Sequence, residues 1–448
     1  MAELITRDAT EADYNAPSRS IQLKFDVYFN GLSAAPLEIT RENYLIDSDI
    51  LEEACADSSN PFGEVSANEI SFSLYNESGI FNPTNMDSPY SGQIRVGVPI
   101  KAYMRPSVAD AEVNWDELGT YYVSDWTATV TGTSAYVTAC DKLYDVFSLP
   151  QVKMPVVADM SMHDLFVEFF KALGLEAEVD ERLIEELVYA YSVDKNSAFL
   201  NELSVGAQAF VFCNRRGIPT VRFARGEQEV AYTLKDTDQI VSISSKQSAL
   251  LEYDGAEVIM NEPQQTAETK ILSMKDLVVP PGAYNSDLVS FSDKPVVKLM
   301  KASTIGTGKL RLSNLKATCV DATFSLINEG TSEVTCDLEM HGTCIETVSS
   351  TFASSGSNPL SVDNIYIQKK AYAEKFQRFL QAYVTSNVPV LELSIRGNPK
   401  YQPGDKLRII SEKYNIDYTG ILLRQQFKYN GGLSSTIKVF NSQILEVS

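Results

Sequence analysis

Histidine is nearly missing from this sequence: His163 and His341 are the only two in 448 residues. Imidazole is the usual proton carrier near neutral pH and the commonest metal ligand. Its scarcity leaves Ser–His–Asp, Cys–His and His-based metal chemistry little to work with. The local signatures of such chemistry are missing as well. Neither a G-x-S-x-G elbow nor H-E-x-x-H occurs. The stretch Thr304-Ile305-Gly306-Thr307-Gly308-Lys309 has the outline of a phosphate loop. It fails as one, because Ser303 stands where the first glycine belongs and Leu310 where a Mg²⁺-binding Ser or Thr is needed. A plain turn is the better reading.

Basic charge is also short. Lys and Arg number 38 against 59 Asp and Glu, a formal charge of −21. A surface that acidic repels phosphate backbones and anionic membranes, so specific nucleic-acid binding and membrane docking are disfavoured. No stretch approaches the roughly 18 apolar residues that span a bilayer, and Met1–Asp8 offers no basic segment followed by an apolar run. Synthesis and assembly in a cytoplasm are therefore expected. The six cysteines, Cys55, Cys140, Cys213, Cys319, Cys336 and Cys344, are scattered and read as reduced. Cys319, Cys336, His341 and Cys344 are weak metal candidates. Their spacing is irregular, and Cys336 alternates with Val334, Leu338 and Met340 as a buried strand thiol would. Acidic pairs abound by chance among 59 carboxylates, so no glycosidase pair is singled out. No catalytic residue and no cofactor is expected.

What the sequence has in quantity is strand material: 22 Tyr, 20 Phe and recurrent Ser, Thr and Val. Over residues 18–30, Ile21, Leu23, Phe25, Val27 and Phe29 alternate with polar neighbours, a period of two that predicts a half-buried strand. The pattern returns at 69–75, 98–104, 120–126 and 135–140, separated by turn clusters such as Asn82-Pro83-Thr84-Asn85. Helical spacing interrupts near Ser161. Met162, Leu165, Phe166, Phe169, Phe170 and Leu173 draw one apolar stripe, with Ser161 placed as N-cap and Gly174 as terminator. A second short helix is expected over 197–206, then a hairpin turning at 214–217. Residues 368–384 give the clearest helix, with Tyr372, Phe376, Phe379, Leu380 and Tyr383 on its buried side and Pro389 beyond its end. Strands follow at 390–395, 406–410, 420–428 and 434–441. The expected class is mainly β, α+β overall, with β-barrels and a small inserted α/β module. The expected division is a first barrel at 1–154, the module at 155–226, a β-rich middle domain at 227–364, and a linking helix with a second barrel at 365–448.

Three stretches resemble one family. The first runs from Gly63 through Glu69-Ile70-Ser71-Phe72-Ser73-Leu74-Tyr75 and Gly79-Ile80-Phe81-Asn82-Pro83 to Ile94-Arg95-Val96-Gly97-Val98-Pro99, with Tyr121-Tyr122-Val123-Ser124-Asp125-Trp126 and Ala139-Cys140-Asp141 after it. The second is Phe210-Val211-Phe212-Cys213-Asn214-Arg215-Arg216-Gly217. The third runs from the 372–383 helix through Arg396-Gly397-Asn398-Pro399 and Pro403-Gly404-Asp405-Lys406-Leu407 to Phe427-Lys428-Tyr429-Asn430-Gly431-Gly432-Leu433. Together, and in this order, they are similar to the hub proteins of phage tail tips and baseplates and of related contractile injection machines. The resemblance implies a non-enzymatic virion protein, a homotrimer whose two barrels per subunit form a pseudo-sixfold ring. Its implied neighbours are the tail tube or distal tail protein, the tape-measure protein and a central spike or fibre, with DNA passing through unbound. The last strand lies close to Ser448, so a spike or lysin is expected on a separate protein. Residues 227–364 match no part of the resemblance. A sugar-binding adhesin and a tail-associated cell-wall hydrolase are the competing readings.

Overall fold

The structure is a computed structural model. It describes all residues except 1–4, 56–61, 109–110, 129–131, 185–186, 192–194, 225–227, 237–238, 246–252, 292–294, 307–308, 355, 387–389 and 447–448. Thr307 and Gly308 of the loop weighed above, Pro389, and the residues flanking the expected 226/227 boundary therefore lie outside the described residues. Strands make up 52% of the structure and helices 14%, which makes the chain mainly β with a small helical part. Among the described residues no helix is long and apolar enough to cross a membrane.

The first barrel follows from the alternation. In Ser20–Val27, Ile21, Leu23, Phe25 and Val27 are buried, and in Glu69–Tyr75, Ile70, Phe72 and Leu74 are. Pairing is antiparallel throughout, in the order Leu45–Glu53, Glu69–Tyr75, Ser134–Cys140, Asp116–Ala128, Pro99–Ser107, Ser20–Val27, Leu37–Thr40. Phe25 stacks on Phe72 at 4.4 Å inside it. The Phe-Asn-Pro turn is held from within. Buried Phe81 takes Trp126 Nε1–H on its carbonyl at 3.0 Å, and its own N–H donates to Asn76 Oδ1 at 2.9 Å.

The second barrel takes Val390–Ile395, Lys406–Ser411, Ile416–Tyr429 and Leu433–Asn441, and adds Tyr232–Lys235 and Ile240–Ser245 at its edges. Those last two strands fall inside the stretch that the sequence assigns to the middle region. Strand pairing therefore crosses the expected 364/365 boundary: two short segments, one of them Ser-rich, carry no local mark of a partner lying far along the chain. Leu393, Ile409, Leu422, Ile437 and Val439 fill this aliphatic core around Tyr401.

Ile416–Tyr429 belongs to both barrels. Its first half pairs with Lys406–Ser411 and its second half, Arg424–Tyr429, with Leu45–Glu53; the ladder slips between Leu422 and Arg424. One 13-stranded sheet results. The Leu45–Glu53 strand escapes the sequence reading because a register irregularity between Leu45 and Asp47 shifts its phase, and polar Ser48 takes a buried position.

The inserted segment packs Met162–Ala172 and Asn196–Ala207 over the hairpin Ala209–Cys213 and Pro219–Phe223. Ser161 Oγ accepts from Asp164 N–H at 3.0 Å as its cap, and Gly174 has φ +73°. A further helix, Lys142–Ser148, follows directly on the barrel, capped by Asp141. Beyond it, Gly255–Asp363 forms two sheets sharing one core of Ile271, Phe291, Phe324, Leu326, Leu338 and Met340. Its spine is the long strand Val334–Ala353. The helix Lys370–Thr385 buries its expected stripe. Phe379 and Tyr383 lie 6.4 and 5.7 Å from Phe440 of the second barrel, and the same cluster includes Val258, Phe210 and Phe62.

Candidate functional site

The sheet's outer face is covered on the second barrel by the helix Lys370–Thr385, which packs on Ile421, Leu423 and Phe440, and is open over the junction with the first barrel. Residues paired in register share a face, so the ladders give its rows directly. One row reads Ser434, Lys428, Asp49, Ser71, Thr138, Asp125. Another reads Ser244, Glu392, Lys438, Arg424, Glu53. Hydroxyl and charged side chains make up both rows. A shallow depression of about 550 Å³ lies over the junction, lined in part by Asp47, Asp49, Ser71, Ser73, Tyr136, Thr138 and Lys428.

Around the junction Asp47, Asp49, Glu53, Glu69, Asp125 and Glu392 stand against Lys428, Lys438 and Arg424, while farther round the first barrel the same face carries Lys24, Lys101 and Arg105 with Asp26, Glu38 and Glu117. Gln426 donates its amide to both Asp49 oxygens at 2.9 and 2.8 Å, and Arg424 lies 3.7 Å from Glu53. Burial, then the nearby charges of Asp49 and Glu53, raises the Glu69 carboxyl above its ordinary value.

The junction is locked from behind. Arg215, from the turn of the inserted hairpin, makes a two-pronged pair with Glu52 (2.7 and 2.8 Å) and donates to the carbonyls of Pro399 and Tyr401. Glu52 is 2% exposed, so this is a buried pair. Arg215 is correspondingly held above its ordinary value: burial lowers it, and the Glu52 charge and hydrogen bond outweigh that. The Gly-Asn-Pro loop thus touches the module. It also reaches the first barrel, where Lys400 pairs with Asp116 at 2.8 Å and Tyr14 O–H donates to the same carboxylate at 2.8 Å. In the Pro-Gly-Asp turn, Gly404 has φ +88° and its N–H donates to Leu422 O at 2.7 Å. Asp405 there accepts from Gln402 N–H at 2.9 Å. The Gly-Asn-Pro loop thus fastens the barrels together, while the Pro-Gly-Asp turn ties the second barrel to Arg222 of the inserted hairpin.

The weak metal candidates do not converge in one arrangement. Cys336 and Cys344 point into the core of the middle sheets, whereas His341 sits at odd register on the opposite face, 3.6 Å from Glu339. Cys319 is buried outside that strand. Among the described residues no three His, Cys, Asp or Glu side chains gather as a metal site would, and all six cysteines are buried without a disulfide. His163 lies at the helix start beside Asp164 at 3.0 Å, partly exposed. The Arg215–Glu52 lock is absent from the sequence reading. Its one local trace is an arginine in a hairpin turn, which by itself is indistinguishable from a solvated one.

No protein-family model matches this chain, and no curated protein matches it by sequence. Solved structures do. The 43 kDa tail protein of prophage MuSo2 from Shewanella oneidensis aligns at TM-score 0.54 and 11% identity, over 95% of this chain and 99% of that one. The tail protein from Neisseria meningitidis MC58 aligns at TM-score 0.51 and 9% identity, over 95% and 98%. Likeness that spans both chains at so low an identity is a likeness of architecture, and it establishes that this chain has the fold of phage tail proteins.

Proposed function

We propose that the chain is a structural hub subunit at the distal end of a phage tail, in a tail tip or baseplate. The observation that carries this reading is the single sheet running through two barrels, with an open polar face over their junction where acid outnumbers base. In the proposed assembly three copies close a ring, each giving two barrels, so that six barrels meet a hexameric tail tube or distal tail protein. The ring joins that tube, with its tape-measure protein, to a central spike or fibre. Closure also satisfies strand edges that would otherwise invite aggregation.

The physics of the exposed face suits a channel wall. Lysine and arginine on a lumen would hold DNA phosphates through counterion release and slow its exit. Carboxylates repel the backbone within a Debye length of about 8 Å, and neutral hydroxyls add no positive charge to hold it. DNA then passes without being bound. The inserted module, 155–226, is proposed to sit outside the ring, with 227–364 as a separate outward domain except for the two strands that join the second barrel. The protein acts without catalysis, in the virion, after assembly in the host cytoplasm. No specific observation favours the adhesin or hydrolase alternatives. Electron microscopy of tails carrying a tagged copy tests the reading. Three copies at the distal tip are expected, and a side-fibre position or a single copy would contradict it.

A further inference from the structure

The first barrel ends in the short strand Leu37–Thr40, which is also one free end of the 13-stranded sheet. Where that end comes round toward Tyr429, a pocket of about 290 Å³ opens. Three bases line it, Lys24, Arg41 and Arg105, together with Trp115. The Arg105 guanidinium lies 4.3 Å from the centre of the Trp115 ring, and Lys24 Nζ lies 5.4 Å from it. Trp115 is partly exposed, while Trp126, the other tryptophan of the chain, is buried.

Cations in this chain usually have carboxylate partners. Arg7, Arg182, Arg215, Arg216, Arg222, Arg311, Arg408 and Arg424 each pair with an Asp or Glu. Arg41 and Arg105 differ. Arg105 is oriented by neutral acceptors, Gln22 Oε1 at 2.7 Å and Val113 O at 3.4 Å, and Arg41 by Ile46 O. Arg19 and Arg396 are likewise held by carbonyls, but Arg41 and Arg105 face one pocket together; its third base, Lys24, pairs with Asp26 at 3.1 Å and with the lining Glu38 at 3.8 Å. Arginine against an aromatic face, presenting a planar fork, is how proteins recognise carboxylates. The volume suits one or two side chains.

We infer that this pocket receives an acidic side chain from the next copy of the chain in a head-to-tail ring. The reasoning rests on the ring reading above and names its contact. The same sheet also ends, on the second barrel, at Tyr232–Lys235 and at Ile240–Ser245, whose Val241 is 70% exposed. Beside that strand Asp236 is committed to its own subunit, accepting from Ser411 Oγ and Lys413 N–H, while the neighbouring Glu412 is exposed and is the acid available to a partner. Unlike ends meeting in turn make a heterologous contact, which closes a ring when the rotation allows. Rim acids Glu38 and Glu42 and the net charge of −21 disfavour a polyanion such as DNA as the occupant.

The test is sedimentation equilibrium of the full chain over a range of concentration and salt. Wild type is expected to form trimers that weaken as salt rises. Arg105→Glu is expected to reduce association about thirtyfold or more, with unchanged circular dichroism and melting. Arg41→Gln, a milder change away from the barrel core, should weaken it less, and Arg105→Lys should fall between. If Arg105→Glu and Arg41→Gln both form trimers like wild type, the pocket assignment is wrong and the ring stands. If wild type stays monomeric at every concentration, the ring reading fails and takes this contact with it.

Discussion

The two barrels do the same structural job with different materials. The first is made mainly from one run of chain, Ser20–Cys140, with Phe427 and Tyr429 of the shared strand, and its aliphatic core holds an aromatic cluster: Phe25 on Phe72, Phe81 against Tyr44, Tyr90 and Trp126. The second is assembled from both sides of the middle sheets, Tyr232–Ser245 with Val390–Asn441, around leucine, isoleucine and valine. A local barrel closes with little loop entropy. A split barrel must first bring distant segments together, so it depends more on clamps. The clamps are visible: the shared strand Ile416–Tyr429, the Arg215–Glu52 pair and the helix Lys370–Thr385 all converge on the second barrel.

Breaking a clamp should therefore cost most. Arg215→Ala leaves Glu52 charged, buried and unpaired, and is expected to destabilise by about 3–5 kcal/mol. A thermal melt with no loss would show that the barrels do not lean on this pair. Phe376→Ala removes a fully buried ring from the helix that bridges module, middle sheets and second barrel, for about 3 kcal/mol or more. Unchanged melting would remove that residue from the core.

The first barrel has a pH sensitivity of its own at the junction with helix Lys142–Ser148. Burial raises the Asp141 carboxyl to about 7, against hydrogen bonds from Asn68 and Leu143 N–H that favour its charged form. The folded chain thus holds a proton that the unfolded chain releases near 3.8. Stability from this group is fully present below about pH 4 and is lost as pH rises toward 7, by about 1 kcal/mol per pH unit. Melting temperatures measured across that window should fall more steeply for wild type than for Asp141→Asn; parallel curves would show Asp141 titrates normally.

Within the aromatic cluster, Trp126→Phe removes the donor to Phe81 O and leaves a buried carbonyl without its bond. About 1–2 kcal/mol is expected. Smallest of all, Lys428→Gln on the open face should change stability by less than about 0.5 kcal/mol, because that side chain is exposed and its loss opens no cavity.

The same comparison explains what the sequence made legible. Alternation and turn residues announced the first barrel, with Glu69–Tyr75 matching to the residue, because each strand reports its own burial. The helix stripes were equally plain, Met162 to Phe170 and Tyr372 to Tyr383. Long-range pairing was not. Tyr232–Lys235 and Ile240–Ser245 read as middle-region strands since nothing local says which edge they will join. Leu45–Glu53 was hidden by its slipped register and inward Ser48. Of the open polar face, the strands Glu69–Tyr75 and Ser134–Cys140 could be read, but its continuity over the junction could not. That continuity depends on which strand accepts the second half of Ile416–Tyr429, a choice made by Leu45–Glu53 far away.

The most direct test of the hub account is the structure of the assembled ring, read for the charged side chains that face its axis. The account predicts that the face bearing Asp49, Ser71, Thr138 and Lys428 lines the lumen, with more Asp and Glu than Lys and Arg. A lumen with net positive charge, or one walled by the opposite side of the sheet, would contradict it.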